Sequence, residues 1–490
     1  KSAISAVGGG GQNFENFSCA VQPPAVTFAR SVNLQIDPKT QTHNTPCSMK
    51  GSLVLFVALL ALVAHSCKEL PTQTEPPVAL ALSLIDSTCT DLELKLSAQP
   101  RAQRIVVERL AQPQPVIIFD AVLNTPDTMI LDTGLLPNTT YTYRAYRLAN
   151  NTKRDTSRAL HARTMDTTSH DWAWTMQTFG VASSQLDDVA IVNDTLAYAV
   201  GKIYLNDSLG QLDYTPYNLA IWNGQRWAFK KIFYSGNLII TSIRGIYVSK
   251  PNEIWLAGGS LFRWDGQSSH APLVFSRLTL PSPNATVEKL WGNSPSNVYG
   301  VGNAGTILHY NGLEWRRVES GTSLDIYDVY GDGEEVLAVA ADAFSGIQGS
   351  KLIRLNGDQP ATLLSPQSLS TATLNGLWFM SNRRYLGVGS RNFEKRRRDG
   401  QEWEAVSVSS LGNNWTIRVT GQAINDLFIT ATSSQILHFN GVSWRNFQNH
   451  LPDGEKWFRG IKVKHNLVIA VGIDVSSPST RAVVAIGRRN

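Results

Sequence analysis

Chemistry in a protein chain needs nucleophiles, titratable pairs or metal ligands at short spacing, and this 490-residue sequence offers few of them. Its four cysteines, Cys19, Cys47, Cys67 and Cys89, have neither the spacing of a zinc site nor the pattern of a disulfide framework. The nine histidines are scattered. His309 and His438 stand beside Tyr310 and Phe439 at equivalent places of two related stretches, where packing accounts for them better than a ligand set. No Gly-rich phosphate loop, nucleophile elbow, S-x-D-x-G-x-T-W box or His-x-x-x-His pair is present, so no cofactor and no metal is expected. Two features remain: Cys67, which closes the stretch MKGSLVLFVALLALVAHSC, and the run Lys395, Arg396, Arg397, Arg398.

Cys67 is placed for covalent modification. Lys50 gives a positive start, an apolar run extends from Leu53 to Ala64, and Ala64-His65-Ser66-Cys67 is a small-residue cleavage site. A helix crossing a bilayer needs roughly 20 apolar residues, so this run is too short to anchor the chain by spanning. Residues 49–66 therefore read as a cleaved export signal. With Val63 and Ser66 before it, Cys67 resembles the lipobox of bacterial lipoproteins. That resemblance implies an acylated Cys67 as the mature amino terminus, a lipid membrane as partner, and a place in the cell envelope at the outer membrane, periplasmic or surface-exposed. Several acyl chains hold firmly where one holds only marginally. Residues 1–48 lack methionine and are polar and Gly-, Pro- and Thr-rich; they are expected to be untranslated upstream sequence or disordered. Residues 67–77, with their prolines, form a tether.

The elements that must position any site come from a repeat. ILHYNGLEW at 307–315 returns as ILHFNGVSW at 436–444, and the same glycine recurs at Gly224, Gly266, Gly312, Gly357, Gly400 and Gly441, at intervals of 42, 46, 45, 43 and 41. A second motif ending in a small residue precedes each, as in AYAVG, IWLAG, VYGVG, VLAVA, YLGVG, LFITA and VIAVG. Upstream of these lies a third column: Ala190, Tyr247, Trp291, Tyr330, Trp378, Val419 and Lys462. Short β-branched and aromatic runs between turn residues are strands, and a period in the low forties with about four strands per unit is that of a propeller blade. The last unit lacks the Asn-Gly-x-x-Trp ending. WAWTMQTFG at 172–180 is expected to supply its outer strand and close the ring from the other end.

The fold class expected is all-β: a fibronectin type III-like β-sandwich followed by a seven-bladed β-propeller. LWGNSPSNVYGVGNAGTILHYNGLEW, residues 290–315, resembles the blade consensus of bacterial seven-bladed propellers, and the resemblance extends over 172–490. Within 78–166, Leu135, Pro137, Thr139 and Tyr141 resemble the tyrosine corner of fibronectin type III domains. That likeness implies a Tyr141 hydroxyl bonded to nearby backbone, with Tyr141, Tyr143 and Ala145 facing inward. Such domains place a core Trp on an early strand, where this chain has only Leu94 and Leu96. The order of lipid, tether, sandwich and propeller resembles lipoproteins of Bacteroidota.

In a propeller the starts of the inner strands ring the channel mouth. Here they bring Asp188, Arg244, Glu288, Asp328, Asn375, Arg418 and Arg459 together as a polar ring of mixed sign, the first place to expect a ligand. In the fifth unit the repeat alignment puts Lys395 and Arg398 where other units are apolar. Either that strand is displaced to water or the run Lys395 to Arg398 is an anion patch. The net charge of +5 gives no case for nucleic acid. The expected function is a monomeric, membrane-anchored lipoprotein whose propeller binds or scaffolds an unknown protein or glycan without catalysis. The rival is a polysaccharide-acting enzyme, hydrolase or lyase, with paired carboxylates across the mouth.

Overall fold

The computed structural model describes residues 80–99, 103–342, 349–364, 366–396, 403–408 and 414–490. The first part is a pair of facing sheets. One holds Ala81–Ser87, Leu92–Ser97 and Asp127–Asp132, with Leu92–Ser97 central; the other runs Val116–Leu123, Gln103–Leu110, Thr140–Ala149, Thr152–Thr156, with Leu160–Arg163 also on Thr140–Ala149. Side chains alternate along a strand. Leu92, Leu94 and Leu96 accordingly face Ile105, Val107, Tyr143 and Ala145 in one shared core. Leucines thus fill the layer for which the sequence has no Trp. The Leu136 N–H donates to the Tyr141 hydroxyl at 2.8 Å, tying the corner to its strand. Tyr143 donates to Asp132 at 2.7 Å. Burial and that bond push its phenol well above the usual range.

Seven four-stranded antiparallel sheets follow among the described residues. Their first strands are Val181–Asn193, Gly245–Lys250, Lys289–Ser294, Asp325–Asp332, Leu374–Met380, Thr416–Ala423 and Lys456–Lys464. Each lies against the next, and the last lies against the first, so the sheets form a closed ring. Trp172–Phe179 is the outermost strand of the last sheet, paired along Arg481–Arg489 from Arg489↔Trp172 to Ala482↔Phe179. The ring is therefore closed by strand pairing between its two sequence ends.

The Asn-Gly-x-x-Trp signature has a local cause. Asn223, Asn311 and Asn440 each accept two backbone N–H bonds through Oδ1, from Gln225 and Arg226, Leu313 and Glu314, and Val442 and Ser443. The glycine that follows sits at φ near +90°, at +92°, +94° and +98° for Gly224, Gly312 and Gly441, which side chains with a Cβ rarely adopt. The turn brings the tryptophan back across the hairpin onto an aromatic of the preceding strand. Ring centroids are 5.5 Å apart for Trp222 and Trp227, 5.5 Å for Tyr310 and Trp315, and 5.1 Å for Phe439 and Trp444.

Packing between neighbouring sheets follows a size rule. The rings of Tyr247 and Trp291 lie where a Cβ on Gly292 and Gly331 of the following sheet would have to go, and the Trp378 ring comes within 3.1 Å of that position on Gly421. Large residues in this column are thus matched by absent side chains next door. Strand register puts Thr420 rather than Val419 in the column, opposite Phe428. Lys462 occupies it in the last sheet, opposite Ile469.

The fifth sheet corrects the expectation for the basic run. Phe393–Arg396 is not displaced to water: it pairs with Arg384–Gly389, with Gly387↔Phe393 and Tyr385↔Lys395. The corresponding pairs in the third sheet are Gly300↔Leu308 and Val298↔Tyr310. Phe393, 3% exposed, thus fills the place of Leu308, and Lys395 is half-buried at the place of Tyr310. Glu394 is paired with Arg384 at 2.9 Å. Arg396 ends the strand, and Arg397 and Arg398 lie outside the described residues.

The sandwich is seated on the fifth and sixth sheets. Arg383 binds Asp86 at 2.7 Å and the Ser87 carbonyl at 2.8 Å. Asn425 donates to the Asp166 carbonyl at 2.8 Å and Thr168 N–H to the Asn440 carbonyl at 3.2 Å, so the link through 166–171 runs along the ring surface. Cys89 is buried in this joint, its Sγ donating to the Asp166 carbonyl at 3.1 Å. Burial pushes its thiol up, away from the reactive thiolate.

Candidate functional site

Five of the seven first strands carry a register shift near their start, at Leu186/Asp188, Ile326/Asp328, Leu374/Gly376, Thr416/Arg418 and Phe458/Gly460. A bulge adds one unpaired residue and re-aims the side chains around it. The extra residues are Asp187, Tyr327, Asn375, Ile417 and Arg459. Three of these, Asp187, Tyr327 and Arg459, line a cavity of ≈ 160 Å³ together with Arg244, Glu288, Lys289, Asn303, Ile326 and Arg418. Of the residues expected at the mouth, Arg244, Glu288, Arg418 and Arg459 are therefore brought together.

Asp328 is a correction. The bulge sends Tyr327 to the mouth and turns Asp328, 6% exposed, between the sheets, where its carboxylate accepts the Leu377 N–H at 3.1 Å. Asp188, 1% exposed, does the same between the first and second sheets, accepting the Ile246 N–H at 3.3 Å and binding Lys289 at 2.7 Å. Inner strands of adjacent sheets are not paired with each other, so these carboxylates satisfy backbone donors that a ladder would otherwise take. Asn375 sits at a bulge but turns aside, donating to the Thr416 carbonyl at 3.3 Å. At the mouth, Arg244 pairs with Glu288 at 3.0 Å and Arg459 with Asp187 at 3.3 Å. Among the described residues Arg418 donates to the carbonyls of Asn375 and Ile417 alone, at 2.8 and 2.9 Å.

The reading of the sequence missed Asp187, Lys289, Tyr327 and Lys462. For Lys462 the signal was visible: a lysine in a column otherwise filled mainly by aromatics. Its side chain lies among Lys289, Asp188, Asp328 and Arg418, and burial, then the positive Lys289, pull its ammonium below the usual lysine range. Of the other expected sites, Cys67 and Arg397 and Arg398 lie outside the described residues. Lys395 and Arg396 are on the fifth sheet's third strand, whereas the mouth is built from the starts of the first strands.

A second polar cluster lies where the link, the closing strand and the sixth sheet meet. His438 Nε2 is 2.8 Å from Asp426 Oδ1, and His438 Nδ1 is 2.8 Å from His170 Nδ1. One arrangement satisfies both contacts: His438 donates from Nε2 to Asp426 and accepts at Nδ1 from His170 Nδ1–H. The repeat partner His309 binds Asn297 through Nε2 at 2.8 Å, so the recurrent histidine is a packing element. Burial and the neighbouring His438 pull His170 down to about 4. Burial also lowers His438, against the pull of Asp426. Folded imidazoles thus stay neutral where unfolded ones, with an ordinary value of 6.5, take up protons. Stability from this pair is complete above pH 6.5 and is lost as the pH falls towards 4. A loss of about 1–2 kcal/mol is expected across that interval. Melting curves at pH 7 and pH 4.5 should show it, and His170→Gln should flatten the dependence; an unchanged slope in that variant would count against the assignment.

No family model matches the chain, and no curated relative matches it. Among similar solved structures, "YCF48 bound to D1 peptide" has TM-score 0.48 at 12% identity, over 65% of this chain and 95% of that one. YCF48 from Cyanidioschyzon merolae has TM-score 0.46 at 13%, over 64% and 98%. BBS1N in complex with ARL6DN has 0.42 at 14%, over 66% and 98%. At these scores the likeness carries no functional inference, and the architecture rests on the strand pairing: an all-β chain of repeated four-stranded sheets closed into a ring.

Proposed function

We propose that this chain is an exported bacterial lipoprotein, anchored in the outer membrane of the cell envelope by acylated Cys67, whose ring is a seven-bladed β-propeller that binds a partner without catalysis. The observation that carries the binding reading is the convergence of Arg244, Glu288, Arg418 and Arg459 on one cavity at the start of the first strands. Seven sheets whose first strands touch in a closed order support the blade count. The sandwich is read as fibronectin type III-like. Its support is a first, second and fifth strand in one sheet against fourth, third, sixth and seventh in the other, with Tyr141 tied to Leu136. The seated sandwich makes it a stiff spacer between anchor and ring.

The second reading, a polysaccharide-acting enzyme, is favoured by the two mouth carboxylates, Asp187 and Glu288. Both are engaged by arginines, which leaves neither set as a proton donor to a leaving group. Protein and glycan arrays probed with the full chain test the binding reading. Retention should be lost in Arg244→Met/Arg459→Met, with a thermal melt of the variant checking the fold, since Glu288 and Asp187 lose their partners. Growth with labelled palmitate tests the anchor: label should enter the wild type and not Cys67→Ala, and an unlabelled, soluble wild type would refute it.

A further inference from the structure

We infer that the mouth takes a carboxylate group, presented by an acidic polypeptide segment, with Arg418 as the receiving guanidinium and Lys462 as the second cation. The inference rests on the binding reading of this cavity and names its ligand class.

The argument starts from charge. Five cations stand at the mouth or next to it in the interior: Arg244, Lys289, Arg418, Arg459 and Lys462. Four carboxylates accompany them: Asp187, Asp188, Glu288 and Asp328. Three form ion pairs, Asp187 with Arg459, Asp188 with Lys289, and Glu288 with Arg244. Asp328 is committed to the Leu377 N–H. Arg418 and Lys462 are left without an ion-pair partner among the described residues, and one positive charge is in surplus. Arg418 spends one terminal nitrogen on two backbone carbonyls, and its Nε is buried without an acceptor. Lys462 is three residues along the strand from Arg459; burial first, and then the positive Lys289, lower its ammonium, while Asp188 and Asp328 pull the other way.

An unpaired cation in a half-enclosed cavity is stabilised by an incoming anion. A carboxylate cancels the single surplus charge and matches the planar guanidinium fork, whereas a phosphate dianion would overshoot it. Among the described residues Tyr327 is the one aromatic on the cavity wall, and the rest of the lining is charged, amide or aliphatic. Asn303 and the two Arg–carboxylate pairs offer the mixed donors and acceptors that a peptide backbone uses.

The test uses the full chain with hexaglutamate, hexaglutamine and trigalacturonate as probes. Calorimetry should show hexaglutamate binding that weakens with salt, with hexaglutamine at least about tenfold weaker. Lys462→Met and Arg418→Met should each lower hexaglutamate affinity by about tenfold. Methionine is compatible with the mostly aromatic column that Lys462 occupies, so the first variant should keep its fold. A readout without any variant is acylation of the Lys462 amine by an activated ester, followed by mass spectrometry. A bound carboxylate favours the ammonium and should slow it. Equal binding of hexaglutamine, binding of trigalacturonate in place of hexaglutamate, or unchanged affinity in both variants would overturn the inference. An array partner lost in Arg244→Met/Arg459→Met but kept in Lys462→Met and Arg418→Met would overturn the carboxylate alone. A partner indifferent to all four substitutions would remove the mouth as the binding site.

Discussion

A chain begun at Gly180 is expected to aggregate, whereas one begun at Asp171 should fold. The difference is the strand Trp172–Phe179, which covers the edge Arg481–Arg489. Without it, Ala482, Val483, Val484, Ala485 and Ile486 would stand on an open edge, and all five are buried in the intact ring. Long apolar edges template association with other chains. The strand also contributes Trp172, 4% exposed, packed edge-to-face on Phe428 at 5.1 Å and under the Arg489 guanidinium at 4.5 Å. Within the full chain, Trp172→Ala should cost about 3–5 kcal/mol. Size-exclusion chromatography and thermal melts check both; equal melting of the two truncations would mean that the ring closes without this strand.

Asp188→Ala should destabilise the ring by about 3–5 kcal/mol, because it strands a buried ammonium. Asp188 binds Lys289, whose side chain is 10% exposed, and accepts the Ile246 N–H of the neighbouring sheet. Removing the carboxylate leaves one charge and one backbone donor without acceptors. The double variant Asp188→Ala/Lys289→Met should recover much of the loss, since the charge goes with its partner, but not the part due to Ile246. Chemical denaturation of the two single variants and the double one forms a cycle. A single variant as stable as the wild type would show that water already serves these groups.

The ring was legible in the sequence because its turns demand particular residues. Asn223-Gly224, Asn311-Gly312 and Asn440-Gly441 each need a side-chain acceptor followed by a residue free to take positive φ, and Trp227, Trp315 and Trp444 must return onto the preceding strand. Such constraints act within a few residues, so they survive as a periodic pattern. The strand Trp172–Phe179 could be recognised for the same reason, as the missing tail of one unit. Register within a strand was less legible. A bulge displaces the pattern by one residue without changing any residue type, which is why Asp328 was expected at the mouth and Tyr327 was overlooked. In the fifth sheet the register puts Phe393 at the apolar place and Lys395 two residues further on, an offset that the residue types alone do not show. The buried pairs were not legible at all. Asp188 and Lys289 meet across sheets, and His170 meets His438 from the link between domains; no local spacing encodes either contact. Arg244, Glu288, Arg418 and Arg459 could be placed at the mouth because the repeat locates the starts of the first strands, which converge there.

Binding at the mouth without chemistry can be followed by titrating the full chain with the partner that the array selects and recording that partner's mass over time. Saturation at one partner per chain, an unchanged mass, and a loss of affinity of about tenfold or more in Arg244→Met/Arg459→Met are the results expected. Shortening of the partner with turnover would mean that the chain is an enzyme, and binding undisturbed by the double substitution would place the binding site elsewhere.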